Sequence, residues 1–548
     1  MQPIKVKIAI CLVLLLIYWP AGVLAGEPLT GDQWLQRGIA AAANHDYPAA
    51  IEAFTAAINL DAAAAEAYLR RGEAYAGERK YDLALADFNK VTELNPRAAG
   101  AYGGRGRIYS LNGMKLLLLG AIIRLNENNP FSALAGEQLD KAVEEYTKAI
   151  EIDSRYAEAY LGRGQIYCLR HKWDQALADC DRCIELEPGN SGAYMVRGQL
   201  YTAQRRLPQA LADYIKFTKL RPRAYEGYLA CAVIYRDQGQ FDQALVSHGW
   251  AIEVAPGQPV VFYERGNTYR VAEKFPLAVA DYTRAIELRA GYAAAYANRG
   301  IAYQSMGLFD QALADYNKAL KISPRYADAY YWRGNVNKAK GQLTPALADY
   351  TTAIELKPRF SDAYDHRGLV YAATGQTDQA LTDYAQAMAV NPRNAAAYLH
   401  RGQIYQAQGN QEQAVDDYSR ALEIDPWYTE AYRKRAMIYR TKGETARALA
   451  DYNKLSELDP YNAQVYNERG LVWEANNQYR QALADYEKAT SLNTKYADAY
   501  FNQALLRAKR GDKAKAIQAF YSYLSNAPLN DPGIPIARRW ITELGGEI

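Results

Sequence analysis

The sequence predicts an all-α solenoid of stacked helix-turn-helix units with a C-terminal capping helix. Aromatic residues recur every 34 positions along most of the chain, Gly and Ala keep constant offsets from them, and the 548 residues include 46 Tyr against 11 Phe. A period of this length marks short supersecondary units that bury their apolar faces only by stacking.

Composition narrows the function classes. At about 150 residues per domain the length suggests three or four globular domains, yet no linker is long enough to separate them. The 64 Lys and Arg oppose 61 Asp and Glu, a net charge of +3. Without the first 25 residues, which hold Lys5, Lys7 and no acid, the balance falls to +1. A near-neutral chain is a poor polyanion binder, so no nucleic-acid partner is expected. Apolar residues at 49% and charged ones at 23% exclude a disordered, collagen-like or polytopic membrane protein.

The N-terminus reads as an address. Lys5 and Lys7 precede an uncharged apolar run from Ile8 to Trp19, followed by Pro20 and a small-residue stretch ending at Ala25. This is the pattern of a secretory signal cleaved after Ala25. The run reaches only ~18 Å at 1.5 Å per residue, short of a ~30 Å hydrocarbon core; the alternative is an uncleaved anchor. Either way the body of the chain is expected outside the cytoplasm, periplasmic or secreted, in a bacterial cell envelope. Four cysteines then remain: Cys168, Cys180, Cys183 and Cys231. Cys180 and Cys183, three apart on a helix, would hold their Cβ atoms ~5–6 Å apart, too far for a disulfide. Buried core positions are the favoured reading.

The repeat runs from about Gly31 to Asn530. Its anchors are Trp34, Tyr68, Tyr102, Tyr160, Tyr194, Tyr228, Phe262, Tyr296, Tyr330, Tyr364, Tyr398, Tyr432, Tyr466 and Tyr500. Every interval is 34 except Tyr102 to Tyr160, which is 58. Counting past the 24 extra residues of the third unit, the fourth residue after each anchor is Gly or Ala, the sixteenth is always Ala, and the twentieth is Tyr or Phe except at Cys180 and His248. Pro96, Pro188, Pro324, Pro460 and six equivalents follow at twenty-eight. These offsets resemble those of the tetratricopeptide repeat family, and the resemblance covers over nine-tenths of the chain. It implies a right-handed superhelical solenoid of fourteen units.

The same offsets have a physical reading. Helices approach to ~8 Å only where small side chains meet, so Gly and Ala mark the crossings and the aromatic rings fill the space around them. Proline ends the second helix. Glycines such as Gly307 and Gly375 mark the turn between helices, in the left-handed region. Twelve units carry Arg three after the anchor, where the family usually has Leu, and eleven carry Asp or Glu nineteen after it. The two units without Arg, with Cys231 and Gln503, also lack the acid, having Ser247 and Ala519. This joint loss predicts an Arg-carboxylate pair between neighbouring helices; Arg37 opposite Ala53 breaks the rule.

The 24-residue insertion at about 114–137 reads as an extra helical hairpin. Its first arm is apolar on all sides from Leu116 to Ile123, and the chain breaks at Asn126–Pro130. Leu116, Leu117, Leu118, Leu119, Ile122 and Ile123 are candidate contacts to the array itself, to a partner or to a membrane surface. After Asn530, residues 531–548 read as the cap.

No enzyme is expected. There is no Walker loop, HExxH or nucleophile elbow, and the GxG at Gly104–Gly106 lies inside a helix. His45 and His171 fall in helix-helix turns, His248 at a core position, and His366 and His400 on first helices. No cofactor or metal is expected. By the resemblance, the first helix of each unit lines a concave groove, with exposed positions two before the anchor and one, two, five and eight after it. Those offsets select Arg236, Tyr263, Arg270, Tyr331, Trp332, Lys338, Arg433 and Arg440 as candidate contacts to a protein or extended peptide. The family's carboxylate-clamp pattern is absent: no Lys follows an anchor directly, and Asn follows at two only as Asn298 and Asn502. The expected function is an exported scaffold supporting assembly of an envelope complex. The alternative is a non-catalytic regulatory or targeting subunit of a separate enzyme or a secretion or pilus machine.

Overall fold

The computed structural model describes residues 29–123 and 130–547, so the signal segment at 1–25 lies outside the described residues. The described residues form twenty-nine helices, fourteen first helices each followed along the chain by a second, and one further helix, Gly533–Glu543. The chain divides into two compact units, Met1–Ala272 and Glu273–Ile548. Each is built by the same rule. A first helix of 13 residues, such as Ala293–Ser305, turns into a second of 14, such as Phe309–Ile322, and each second helix packs against the next first helix.

The turn is closed by one residue in the left-handed region. Gly307 and Gly375 stand there with φ of 74° and 77°, as their sequence positions predict. Other turns place His45 and His171 in the same conformation at 61° and 57°. Those side chains carry ~1–2 kcal/mol of strain that Gly avoids. The surrounding hydrogen bonds hold them, such as Lys172 N donating to Tyr167 O at 2.9 Å.

The small residue four after the anchor lies under the ring twenty after it. A Cβ added to Gly300 would stand 2.7 Å from Tyr316 Cε1, and one on Gly368 the same distance from Tyr384 Cε1. Tyr316, Tyr350, Tyr418, Tyr452 and Tyr486 are fully buried as a result. The anchor ring has a different task. Its hydroxyl donates to a carbonyl six residues earlier, Tyr330 to Pro324 O at 3.3 Å and Tyr466 to Pro460 O at 3.1 Å, fastening each helix to the turn before it. A third ring, seven after the anchor, faces the repeat's Arg from the other side: Arg299 lies 5.5 Å from the Tyr296 centroid and 5.9 Å from that of Tyr303. Tyrosine thus outnumbers phenylalanine because many of these rings need a hydrogen-bonding tip.

The Arg-carboxylate pairs form inside single repeats. They join Arg71 to Asp87, Arg105 to Glu145, Arg163 to Asp179, Arg197 to Asp213, Arg299 to Asp315, and equivalents through Arg469 to Asp485. Most are bidentate. The remaining Nη1 commonly donates to the second helix of the preceding repeat, as from Arg299 to Thr283 Oγ1 at 2.8 Å and from Arg435 to Ser419 Oγ at 2.8 Å. One guanidinium therefore ties three helices together.

The insertion does not build a separate hairpin. It lengthens both helices of the third repeat, to 25 residues in Ala99–Ile123 and 23 in Pro130–Ile152. Only part of the apolar arm is covered. Leu139 and Ala135 close over Gly113, and Leu117 packs on the core that Leu139 shares with Tyr146 and Ile166. Leu118, 62% exposed, stands in solvent, as do Leu111, Met114 and Leu134, while Leu116 and Leu119 are half-buried. The side chains of Ile122 and Ile123 lie outside the described residues. No helix among the described residues is long and apolar enough to cross a membrane.

At the C-terminus, Ala537 and Ile541 bury themselves against Phe520 and Tyr523 of the last repeat. Among the described residues the four cysteines are free, and all but the half-buried Cys168 are buried.

Candidate functional site

In the unit Met1–Ala272 the first helices of four successive repeats line two adjoining recesses, of about 260 and 580 Å3. They share Glu73, Arg107 and Glu158. Their existence follows from one local anomaly: the third repeat has Gly100, Gly103 and Gly104 at three of the five groove offsets. With no side chains there, rings rise to the helix backbone. A Cβ on Gly103 would stand 2.5 Å from Tyr156 Cε1, and one on Gly104 would be 2.6 Å from Phe88 Cζ.

The walls are mixed. Ile39, Tyr47, Phe54, Ile108 and Leu111 give the larger recess an apolar flank, while Gln165 and Asn190 bring amides to the smaller. Arg70 is held by Glu66 at 2.8 Å and Glu73 at 3.0 Å. Burial pushes the Tyr156 hydroxyl up to about 12, against the opposing charge of Arg107, which is exposed. The Tyr156 hydroxyl reaches Glu158 Oε2 at 3.5 Å. An apolar side chain on an extended segment would fill the recess, with its backbone amides against Arg107, Glu158, Gln165 and Asn190.

The sequence-selected positions fare unequally. Arg236 is engaged by Glu264 on the next first helix at 3.0 Å, and Tyr263 on that helix is half-buried. Arg270 keeps a buried Nε without a hydrogen-bond partner. Tyr331 is no surface residue: it is 7% exposed, with its ring 4.9 Å from Phe360 and 5.0 Å from Trp332, which packs on the same core. Burial pushes the Tyr331 hydroxyl up to about 12, and it lowers the pKa of Lys338 against the pull of Asp365. Arg433 donates to Gln464 Oε1 at 3.0 Å from Nη1, and Arg440 forms no ion pair among the described residues.

Sequence reasoning missed a polar network on the same helices. Asn335 Oδ1 accepts from the Tyr350 hydroxyl at 2.8 Å and lies 2.6 Å from His366 Nδ1, which donates because a carbonyl oxygen only accepts. His400 Nδ1 donates to the buried Asp365 at 2.8 Å. Asn335, Asp365, His366 and His400 occupy groove offsets, so the offset rule could have found them. The recess has a sequence counterpart in the run Gly100-Ala101-Tyr102-Gly103-Gly104, which marks absent side chains but not the neighbours that close around them. Among the described residues no cluster of His, Cys, Asp and Glu is arranged to hold a metal ion.

Family models agree with this architecture. A TPR repeat model matches residues 134–170, 305–341 and 368–409, and three tetratricopeptide repeat models match 65–97, 157–190 and 395–428, then 195–252 and 467–531, then 327–360 and 429–462. No curated protein matches significantly. Among solved structures the chain is similar to the APC/C hetero-tetramer Cut9-Hcn1, at 14% identity over 94% of this chain and 97% of that one, with a TM-score of 0.44. It is also similar to MamA, at 27% identity over 29% of this chain and 94% of that one, TM-score 0.27. A third is YrrB, described as a TPR protein with an unusual peptide-binding site, at 26% identity over 34% and 97%, TM-score 0.29. Repeats of this type are typically non-catalytic scaffolds for protein-protein interaction. With fourteen helix pairs on one 34-residue plan and repeat models matching along the chain, this protein belongs to the tetratricopeptide repeat family.

Proposed function

We propose that the protein is an exported scaffold that holds an extended segment of a partner protein against its first helices, and so supports assembly of a complex in the cell envelope. The observation that carries the reading is the pair of adjoining recesses that share Glu73, Arg107 and Glu158, the smaller floored by glycines and the larger flanked by apolar side chains, with charges of both signs between them. Export is supported by Lys5, Lys7 and the apolar run that follows them. Regulation or targeting of a separate enzyme would use the same surface.

The test is affinity capture from the native envelope with the mature chain beside an Arg107→Glu/Glu158→Lys variant. A discrete protein held by the first and released by the second supports the proposal. Identical catches remove the recess from it. Fusing residues 1–30 to a reporter active only outside the cytoplasm tests export, which an inactive reporter would contradict.

A further inference from the structure

A second feature lies in the unit Glu273–Ile548, on first helices Thr429–Thr441 and Ala463–Ala475 and second helix Thr445–Leu458. In four other repeats the buried tyrosine twenty after the anchor bonds through its hydroxyl to the side chain eight after the anchor, and in the ninth, where Lys338 holds that place, Tyr350 turns to Asn335 instead. Tyr316 donates to Gln304 Oε1 at 3.0 Å, Tyr418 to Gln406 Oε1 at 2.7 Å and Tyr486 to Glu474 Oε2 at 2.9 Å, while Tyr214 shares a bond with Thr202 at 3.1 Å. In the twelfth repeat that place belongs to Arg440. A guanidinium has five donors and no acceptor. The proton of the Tyr452 hydroxyl thus loses its acceptor, and among the described residues that hydroxyl, in a side chain 0% exposed, has no hydrogen-bond partner.

Two more polar groups beside it are incomplete. Arg433 spends Nη1 on Gln464 Oε1 and leaves its Nε buried and unpartnered. Glu468 accepts from Gln464 Nε2 at 2.9 Å on Oε1 and leaves Oε2 buried and unpartnered. Glu468, Arg440 and Arg433 all act electrostatically on Tyr452, so the groups lie near one another; buried polar groups are ordinarily satisfied, and three without a partner among the described residues, from three helices, need a cause. The charges are unbalanced as well, with two guanidinium groups against one carboxyl. Burial raises the pKa of that carboxyl, which would turn it into a further donor once protonated.

We propose that this place binds the carboxylate of an acidic extended peptide, with Arg433, Arg440 and the Tyr452 hydroxyl donating to its oxygens. A carboxylate is acceptor-only and matches a set dominated by donors. The residues differ from the family's clamp, whose Lys and Asn positions are not filled here. The proposal deepens the reading of the first-helix face as a binding surface, and it rests on that reading.

The experiment titrates the mature chain at low salt with three labelled ten-residue peptides of otherwise equal sequence. One carries a central Glu pair and an amidated end, one carries Gln in place of Glu, and one carries Gln with a free C-terminal carboxylate. The Glu peptide should bind at least tenfold more tightly than its Gln counterpart. A preference for the third instead assigns the site to a chain terminus. Arg440→Gln should abolish the preference while raising Tm, because it restores the acceptor that Gln304 and Gln406 supply in their repeats. Tyr452→Phe should weaken the preference three- to tenfold. Equal affinity for all three peptides, binding of none included, overturns the proposal, as does a preference that survives Arg440→Gln. Envelope capture persisting beside either result would leave the groove reading standing and remove only the carboxylate site.

Discussion

Arg299 meets Asp315 through two parallel hydrogen bonds, Nε to Oδ2 at 2.7 Å and Nη2 to Oδ1 at 2.8 Å, while its Nη1 reaches Thr283 of the preceding repeat. The pair lies between the rings of Tyr296 and Tyr303 with little solvent around it. The guanidinium pKa is raised, first by the Asp315 hydrogen bond, against the effect of burial.

Breaking such a pair leaves an uncompensated charge. Asp315→Ala should therefore destabilise the array by ~3 kcal/mol, toward the range for buried pairs. Replacing both partners, as Arg299→Met/Asp315→Leu, should recover most of that loss. Denaturant melts of the single and double variants check this; equal stability of Asp315→Ala and the parent would contradict it.

Gly300 has a ring where its Cβ would be, so Gly300→Val should overpack the helix crossing and cost ~1–3 kcal/mol. Gly291, with open space at the same distance, should tolerate Ala within about 0.5 kcal/mol. Thermal melts of the two variants read the contrast.

Acid should weaken the fold through its buried histidines. His248, held at about 3 by burial and then by Arg236 and Arg265, is favoured as the neutral ring in the folded chain. Its folded pKa lies below the unfolded value of ~6.5, so its contribution is intact above pH ~6.5 and is lost as pH falls toward 3. His366, held at about 4 by burial and Lys338, acts in the same direction. His248→Phe should flatten the decline of Tm between pH 6.5 and 4. An unchanged slope would rule out His248 as a source.

The lengthened third repeat has a covered side and a bare one. Leu139→Ala should cost ~2–5 kcal/mol because Leu139 is 3% exposed and packs over Gly113, whereas Leu118→Gln should leave Tm within about a degree. If Leu118→Gln also destabilises, the arm is covered by something other than its own array, and the oligomeric state becomes the next measurement.

The repeat plan was legible because it is local. Contacts at offsets of 4, 16 and 20 recur between residues that one hairpin brings together, and the joint loss of Arg and acid at Cys231 and Ser247 disclosed a contact before any coordinates did. The groove residues were less legible. Tyr331 and Lys338 hold offsets that the family exposes, yet Phe360 and His366 of the next repeat cover Tyr331, and burial lowers the pKa of Lys338.

By itself, then, the order of residues determined the helices, their pairing, the buried tyrosines and the arginine staples, since each depends on neighbours a fixed number of positions away. Only the tertiary structure decided where a recess opens over Gly103, how much of the Leu116–Leu119 arm is sheltered, and which polar groups, such as Tyr452, are left without a partner. Those properties depend on which particular side chains adjacent repeats bring to the same spot, and a shared period does not specify them.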